Sequence, residues 1–246
     1  MMIKLRPTPR LPLCAPVLAL VCALLAAGPA SAQEAGPTGG FAAGTATLVA
    51  APAFVGQPVA FSGTLTGARS GTRVAVQLRD AGRSWHTVAT SVADDLGGFR
   101  ATWSSAGAGR FTARAVAAGG AVAASSAAPV TAVATVYRGA VATWYDLHGR
   151  TGACGVHITR ATLGVAHKSL PCGSLVDVTY GGRTLSVPVI DRGPYARGVS
   201  YDLTLAAADA LGMTAAGRAH IGVLPASERT PAAPTLAAIF GGLVAG

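Results

Sequence analysis

Short runs in which hydrophobic and polar residues alternate fill the chain between Ala43 and Thr135. Examples are Arg73–Leu78, Trp85–Ala89 and Phe99–Trp103, and turn signals rich in glycine or aspartate separate such runs at intervals of roughly ten residues. Period-two alternation turns one face of a strand toward a core and the other toward solvent. The pattern therefore predicts an all-β region built as a β-sandwich.

A second all-β pattern occupies Val136–Pro225. Two strand-like runs, Ser174–Tyr180 and Thr184–Ile190, flank Gly181-Gly182, which is a hairpin signal. Leu205–Leu211 predicts a short helix, with Thr204 as its N-cap and Gly212 just beyond its end. Six short strands and one helix in so short a stretch indicate a compact barrel. The Ala/Ser/Val-rich residues 117–135 at the end of the first region form the predicted, protease-sensitive linker.

The first 32 residues predict a secretory signal peptide. Basic residues precede an apolar run, Leu11–Ala27, and Ala30-Ser31-Ala32 supplies the small residues of a cleavage site before Gln33. A membrane anchor is the alternative, but the uninterrupted run after Pro16 is short for a span. We therefore expect a secreted, wall-associated chain with no transmembrane segment after cleavage, a flexible lead-in at 33–42 and a disordered tail at 226–246.

The charge of the chain limits its partners. The full sequence carries 19 basic and 10 acidic residues, and loss of residues 1–32 removes three basic ones, so 16 − 10 leaves about +6. Such a protein is attracted to anionic polymers outside the cell. Nucleic acid is not an expected partner, because the compartment is wrong and the sequence has no basic run.

Cys154 and Cys172 are the two cysteines that remain after cleavage. In an oxidising compartment such a pair is expected to form a disulfide. The alternative is a metal site with His148, His157 or His167, but the spacings match no standard zinc pattern. The sequence thus predicts a disulfide, no metal and no cofactor.

Four motifs in the second region carry a family resemblance. They are A-T-W-Y (Ala142–Tyr145), G-V-A-H-K-S-L-P-C-G (Gly164–Gly173), V-P-V-I-D-R-G-P-Y (Val187–Tyr195) and Y-D-L-T (Tyr201–Thr204). In this order they resemble the double-psi β-barrel domain of the rare lipoprotein A family, over nearly all of Tyr137–Leu224. The resemblance implies a six-stranded double-psi β-barrel and a lytic transglycosylase, which cuts the MurNAc–GlcNAc bond of peptidoglycan and leaves a 1,6-anhydro end. More distant relatives include expansins, which loosen walls without cutting.

The first region, 43–135, is similar to the immunoglobulin-like modules of secreted bacterial proteins. Its motifs V-x-L, W-x-x-V-A and G-x-F follow one another in that order. Nothing in them indicates catalysis. The module is expected to serve as a spacer or to make wall or protein contacts.

Asp191 and His167 are the candidate catalytic residues. A lytic transglycosylase needs one carboxyl that protonates the leaving oxygen and then takes the proton of the sugar's 6-hydroxyl, so no second carboxylate has to activate water. Asp191 follows an apolar strand and fits that role, although an aspartate before Gly-Pro also caps turns. His167 matches the family's motif histidine and would bind the sugar or orient Asp191; a purely structural hydrogen bond is the alternative.

Three further residues are assigned to substrate binding, namely Tyr145, Arg192 and Tyr195, with the tyrosines suited to stacking on sugars. Trp144 and Tyr145 alternate, so one of the two faces the core. Asp202, in the Y-D-L-T motif, is assigned a structural role in holding backbone amides at the start of the helix.

One position departs from the family pattern. Transglycosylase members carry an acidic residue where this chain has Val156. If cleavage requires that acid, the protein binds or loosens glycan in the manner of an expansin. A secreted adhesin or inhibitor that acts through the N-terminal module is a third hypothesis.

Overall fold

The computed structural model describes residues 44–81, 83–118 and 130–229. The strands of the N-terminal part are β1 (Gly44–Ala50), β2 (Ala53–Phe54), β3 (Pro58–Thr66), β4 (Arg73–Arg79), β5 (Trp85–Val92), β6 (Gly98–Ser104) and β7 (Gly109–Ala117). The strands that follow are β8 (Thr131–Tyr145), β9 (Arg150–Thr151), β10 (His157–Ile158), β11 (Val165–Ala166), β12 (Leu175–Tyr180), β13 (Arg183–Asp191), β14 (Tyr201–Thr204) and β15 (Ala219–Pro225). The helix α1 spans Leu205–Leu211, and 3-10 turns cover Thr214–Ala216 and Ala226–Glu228.

Several sequence-based predictions fall outside these ranges. They concern the signal peptide at 1–32, the lead-in at 33–42, positions 119–129 of the linker, and the tail from 230 onward. The first residues of the predicted disordered tail, 226–229, are ordered instead, because Ala226–Glu228 forms a 3-10 turn and Arg229 pairs with Asp177. Within the described ranges, no helix is both long and apolar enough to cross a bilayer.

The N-terminal strands form two sheets around one core. β1, β3 and β6 make a three-stranded antiparallel sheet, while β5, β4, β7 and β8 pair side by side in that order. Val59 and Phe61 of β3 lie inside together with Val74 and Val76 of β4. The assignment of this region to immunoglobulin-like sandwiches stays a prediction.

Strand β8 belongs to both halves of the structure. Its first part, Thr131–Val136, pairs with β7, and its second part, Arg138–Tyr145, pairs with β15 and β14. Val136 is buried in the N-terminal core and Ala142 in the core that follows. The predicted boundary at 135/136 therefore falls inside a continuous strand.

A buried carboxylate lies where the two halves meet. The side chain of Asp177 on β12 is only 2% exposed, and it accepts hydrogen bonds from Arg110 Nη2 of β7 at 2.7 Å and from Arg229 Nη2 at 2.6 Å. Nearby, the Phe54 ring packs on Gly222, where a Cβ would approach it to 3.1 Å. These contacts fix the N-terminal sheets to the C-terminal barrel.

Six strands close the C-terminal barrel. Their order is β14-β11-β13-β12-β15-β8, and β8 pairs with β14 to complete the circuit. The β8–β14 and β11–β13 pairs are parallel, and the others are antiparallel. The predicted six-stranded barrel is confirmed. Its interior is apolar because alternate residues of each strand point inward; Val165, Val176, Val178, Val187, Val189 and Leu203 are fully buried.

Two local predictions in the barrel are confirmed. Gly181 and Gly182 turn the β12–β13 hairpin with φ of 56° and 79°, a conformation that favours glycine. The helix spans Leu205–Leu211, with the Thr204 hydroxyl accepting from the Ala207 amide and Gly212 in the left-handed region.

Candidate functional site

An open pocket of about 300 Å³ lies at one rim of the barrel. Its walls come from the end of β8, the end of β11, β14 and the loop that follows β13. They comprise Thr143, Tyr145, Leu147, Ala166, Asp191, Arg192, Gly193, Pro194, Tyr195, Ala196 and Asp202. The pocket thus gathers Asp191 and the three residues assigned to substrate binding, together with Asp202.

Asp191 is the last residue of β13, and its carboxylate is held by backbone. Oδ1 accepts hydrogen bonds from the Ala153 amide at 2.7 Å and from the amide of the next residue, Arg192, at 2.8 Å. The loop that supplies the first amide lies directly on β13, since a Cβ at Gly152 would come within 2.7 Å of the Ile190 carbonyl oxygen. Oδ2 has no hydrogen-bond partner within the described ranges, so it is available to a ligand.

Asp202 lines the same pocket from β14. Its Oδ1 accepts the Thr143 hydroxyl at 2.6 Å, across the parallel β8–β14 pair. Burial raises the pKa of Asp202 and the charge of Asp191 raises it further, while the Thr143 hydrogen bond opposes the shift. The role expected for Asp202, holding amides at the helix start, is performed by Thr204.

Trp144 and Tyr145 diverge at the end of β8. The Trp144 indole packs against the barrel core and donates to the Thr214 carbonyl at 3.1 Å. Tyr145 faces the pocket, and its hydroxyl is buried with no hydrogen-bond partner in the part of the chain that the structure describes. Burial first, then the charges of Asp191 and Asp202, raises the pKa of Tyr145, so this hydroxyl is a neutral donor beside two carboxyls.

His167 follows β11, but its ring is not among the pocket walls. Nδ1 accepts the amides of Ser169 and Leu170 at 3.2 and 3.0 Å, and the ring packs on Tyr201 with centroids 4.7 Å apart. Burial lowers the pKa of His167, and Arg192 and Lys168 lower it further. In this structure the histidine shapes the 168–172 loop, and it reaches Asp191 only through its backbone amide, which donates to the Asp191 carbonyl.

Arg192 and Tyr195 occupy the rim in different ways. The Arg192 guanidinium donates to the carbonyls of His167 and Leu170 and contacts Cys172 Sγ at 3.0 Å, so most of its donors serve the neighbouring loop. The Tyr195 side chain is 82% exposed, and its ring is open to a sugar.

The predicted disulfide is present between Cys154 and Cys172. It joins the loop that holds Asp191 through Ala153 to the loop that Arg192 braces. The disulfide therefore supports the pocket as well as the barrel. Within the described ranges, no group of three His, Cys, Asp or Glu residues is placed to hold a metal ion.

A chain that lacks residues 1–32 should show no free thiol when it is denatured without reductant. Changing both Cys154 and Cys172 to serine should lower the free energy of unfolding by about 3 kcal/mol, because the reduced loop regains entropy when unfolded. Thiol titration and urea denaturation measure the two effects. Two titratable thiols per chain would contradict the prediction.

Comparison with known proteins agrees with this geometry. The family model described as "Lytic transglycolase" matches residues 138–223, which is the barrel with its pocket. The barrel is an RlpA-like double-psi β-barrel. The RlpA-like barrel thus begins within β8 and ends within β15.

Curated relatives resemble the RlpA-like barrel and not the whole chain. "Probable endolytic peptidoglycan transglycosylase RlpA" of Aquifex aeolicus is 45% identical over 76 residues, 29% of this chain and 34% of that protein. "Endolytic peptidoglycan transglycosylase RlpA" of Neisseria meningitidis serogroup A is 38% identical over 84 residues, 32% of this chain and 35% of that protein. The chain therefore spans about a third of the length of the curated relatives it matches.

Among solved structures, an expansin of Clavibacter michiganensis is 31% identical, with a TM-score of 0.33. The match covers 39% of this chain and 52% of that one.

The sequence placed Asp191, Tyr145 and Tyr195 in the site but missed Thr143 and the pocket position of Asp202. A signal existed in the alternation of β8, which puts Thr143 and Tyr145 on one face. The parallel pairing that brings Thr143 beside Asp202 joins residues 59 positions apart, and no local pattern reports it.

Proposed function

We propose that this protein is a secreted, wall-associated lytic transglycosylase that cuts peptidoglycan glycan strands between MurNAc and GlcNAc and leaves 1,6-anhydro ends. The observation that carries the proposal is the pair Asp191 and Asp202 on one open pocket of an RlpA-like barrel. The names of the relatives supply the substrate class. The signal-like residues 1–32 support secretion.

Two proton movements make up the reaction. The leaving oxygen on GlcNAc takes a proton as its bond to MurNAc C1 breaks, and the MurNAc 6-hydroxyl loses its proton as it bonds to C1. No water enters, so the sugar closes on itself as the 1,6-anhydro product.

The environments of the two carboxyls divide these roles. Because its pKa is raised, Asp202 keeps a proton to higher pH and is the better donor to the leaving oxygen. Asp191, fixed by two amides with Oδ2 open to the pocket, accepts the proton of the 6-hydroxyl. The sequence assigned both the acid and the base role to Asp191 alone, whereas here Asp191 and Asp202 share them. After each cut, the two carboxyls recover their starting protonation states by exchanging protons with solvent in the open pocket.

Other pocket residues position the strand. The Tyr195 ring offers a stacking surface, and the Tyr145 ring, whose hydroxyl is buried, forms part of the pocket wall. His167 and Arg192 act indirectly, because they hold the loop that packs beside Asp191.

An expansin-like, non-cutting protein is the second candidate. The observation that favours it is Val156, which is 37% exposed on the loop next to Asp191, at the position where the family resemblance implies an acidic residue. In that case the same pocket binds glycan without turnover.

Mass analysis of purified peptidoglycan treated with the full-length secreted protein separates the two candidates. The transglycosylase releases fragments with anhydro ends, and an ordinary hydrolase would release reducing ends instead. Binding to the wall without either product would replace the proposal by the expansin-like function.

Asp202→Asn should raise the free energy of unfolding near neutral pH. The raised pKa means that folded protein binds the Asp202 proton more tightly than unfolded protein does, so stability falls as pH rises from the ordinary value of 3.8 through the folded pKa. Asparagine cannot ionise and still accepts from Thr143. Urea denaturation at neutral and acidic pH should show a gain that shrinks on acidification. A loss at every pH would mean that the carboxylate stabilises the fold.

A further inference from the structure

The outer face of the β5-β4-β7 sheet carries a cluster of polar, basic and aromatic side chains. These residues belong to a different part of the sequence from those that line the pocket. Val74, Val76 and Leu78 of β4 point into the core, so Gln77 and Arg79 point outward. Strand pairing then sets Trp85 beside Arg79, and Arg114 and Thr87 on either side of Gln77. We call Gln77, Arg79, Trp85 and Arg114 the Trp85 face.

Arg114 is held in a fixed orientation on this face. Its guanidinium lies 4.2 Å from the Trp85 ring centre, and its Nε donates to Gln77 Oε1 at 2.8 Å. The side chain is half-buried on this face, and that burial lowers the pKa of Arg114. The terminal nitrogens have no hydrogen-bond partner in the described parts of the chain, so the planar fork is ready for a ligand.

The charge of the face is uncompensated. Strands β4, β5 and β7 contain four arginines and no Asp or Glu. Arg110 is neutralised by Asp177, whereas no carboxylate of the described residues lies within ion-pair distance of Arg73, Arg79 or Arg114. Asp80, on the turn between β4 and β5, bonds to the Ser84 amide and to His86.

We propose that the Trp85 face is a second binding site for peptidoglycan, where Arg114 and Arg79 take carboxylate groups of the polymer's lactyl and peptide substituents. A planar carboxylate matches the planar fork of Arg114 in a bidentate pair. Because the cation–π contact and Gln77 already order that fork, binding loses little side-chain entropy.

This inference rests on the proposed function, since it names the same polymer for both sites. Two sites on one chain make the second contact intramolecular, so the face keeps a strand near the pocket between cuts. It also assigns the N-terminal sheets a task that the sequence left open between spacer and adhesive.

Co-sedimentation with purified peptidoglycan stripped of phosphate-containing polymers by acid tests the site. With full-length secreted protein, Arg114→Gln should weaken binding about tenfold, the cost of one charge-assisted hydrogen-bonded contact. Arg79→Gln should act in the same direction, and its side chain lacks the Gln77 contact, so it carries the test if Arg114→Gln folds poorly. Arg100→Gln is the matched control, because it makes an equal charge change at an exposed residue of β6 in the other sheet.

Each outcome decides the matter. An equal loss with Arg100→Gln means unspecific charge attraction and overturns the site, as does unchanged binding with both face variants. Binding only to wall that keeps its phosphate polymers assigns the face to those polymers and also overturns the proposal. The Arg114→Gln variant should release anhydro ends from short soluble strands at the wild-type rate. If the wild-type protein releases none but its binding still depends on Arg114, the proposed function fails and the binding site stands.

Discussion

Replacing Asp202 or Asp191 with asparagine is expected to slow the release of anhydro ends from peptidoglycan by about 10²–10⁴-fold, the usual contribution of a positioned acid or base. Asparagine keeps Oδ1, so it still accepts from Thr143 at position 202 and from the Ala153 and Arg192 amides at position 191. The substitutions therefore remove the proton chemistry and leave the pocket in place. Product release measured by mass spectrometry, with circular dichroism on the same samples, checks both parts.

Asp209→Asn is the matched control, because Asp209 is exposed on α1 and does not line the pocket. It should keep the wild-type rate. An Asp191→Asn protein that unfolds would show that this carboxylate caps its turn. If Asp202→Asn cuts at the wild-type rate while Asp191→Asn does not cut, a single carboxyl performs both proton transfers and the division of roles is wrong.

Asp177→Ala should lower the free energy of unfolding by about 3 kcal/mol, near the low end of the range for breaking a buried ion pair. The carboxylate is 2% exposed and joins Arg110 to Arg229, so its loss leaves two guanidiniums without an opposite charge, and among the described residues Arg229 keeps only its side-chain hydrogen bond to Ser186. The low end is expected because Arg110 is 44% exposed and can regain water. Urea denaturation followed by tryptophan fluorescence measures the change.

Glu228→Gln provides the comparison for that variant. It breaks the pair with Arg138, whose side chain is 57% exposed, and should cost less than about 1 kcal/mol. Equal effects of the two variants would mean that the buried position of Asp177 contributes nothing to stability.

Features set by neighbouring residues could be predicted from the sequence. The Gly181-Gly182 turn and the caps of α1 depend on backbone conformations that glycine and threonine favour locally, and both predictions are confirmed. The disulfide followed from the cysteine count and the expected compartment. The position of Asp191 in the pocket wall follows from its place at the end of an apolar strand, where a polar side chain can leave the core.

Features set by long-range pairing could not be read in the same way. Asp202 joins the pocket because β14 lies parallel to β8, and the Nδ1 of His167 is occupied by the amides of the following loop. The continuity of β8 could not be read either, because the composition changes near residue 135, at the predicted domain boundary.

The shared strand also has a mechanical meaning. A wall under turgor stretches, and under the two-site binding proposed above the protein would carry part of that tension. Load applied to the N-terminal sheet passes along the covalent backbone of β8, past the hydrogen bonds to β15, to its last residue, Tyr145, in the pocket wall. The backbone of β8 thus connects the N-terminal sheet directly to the pocket wall.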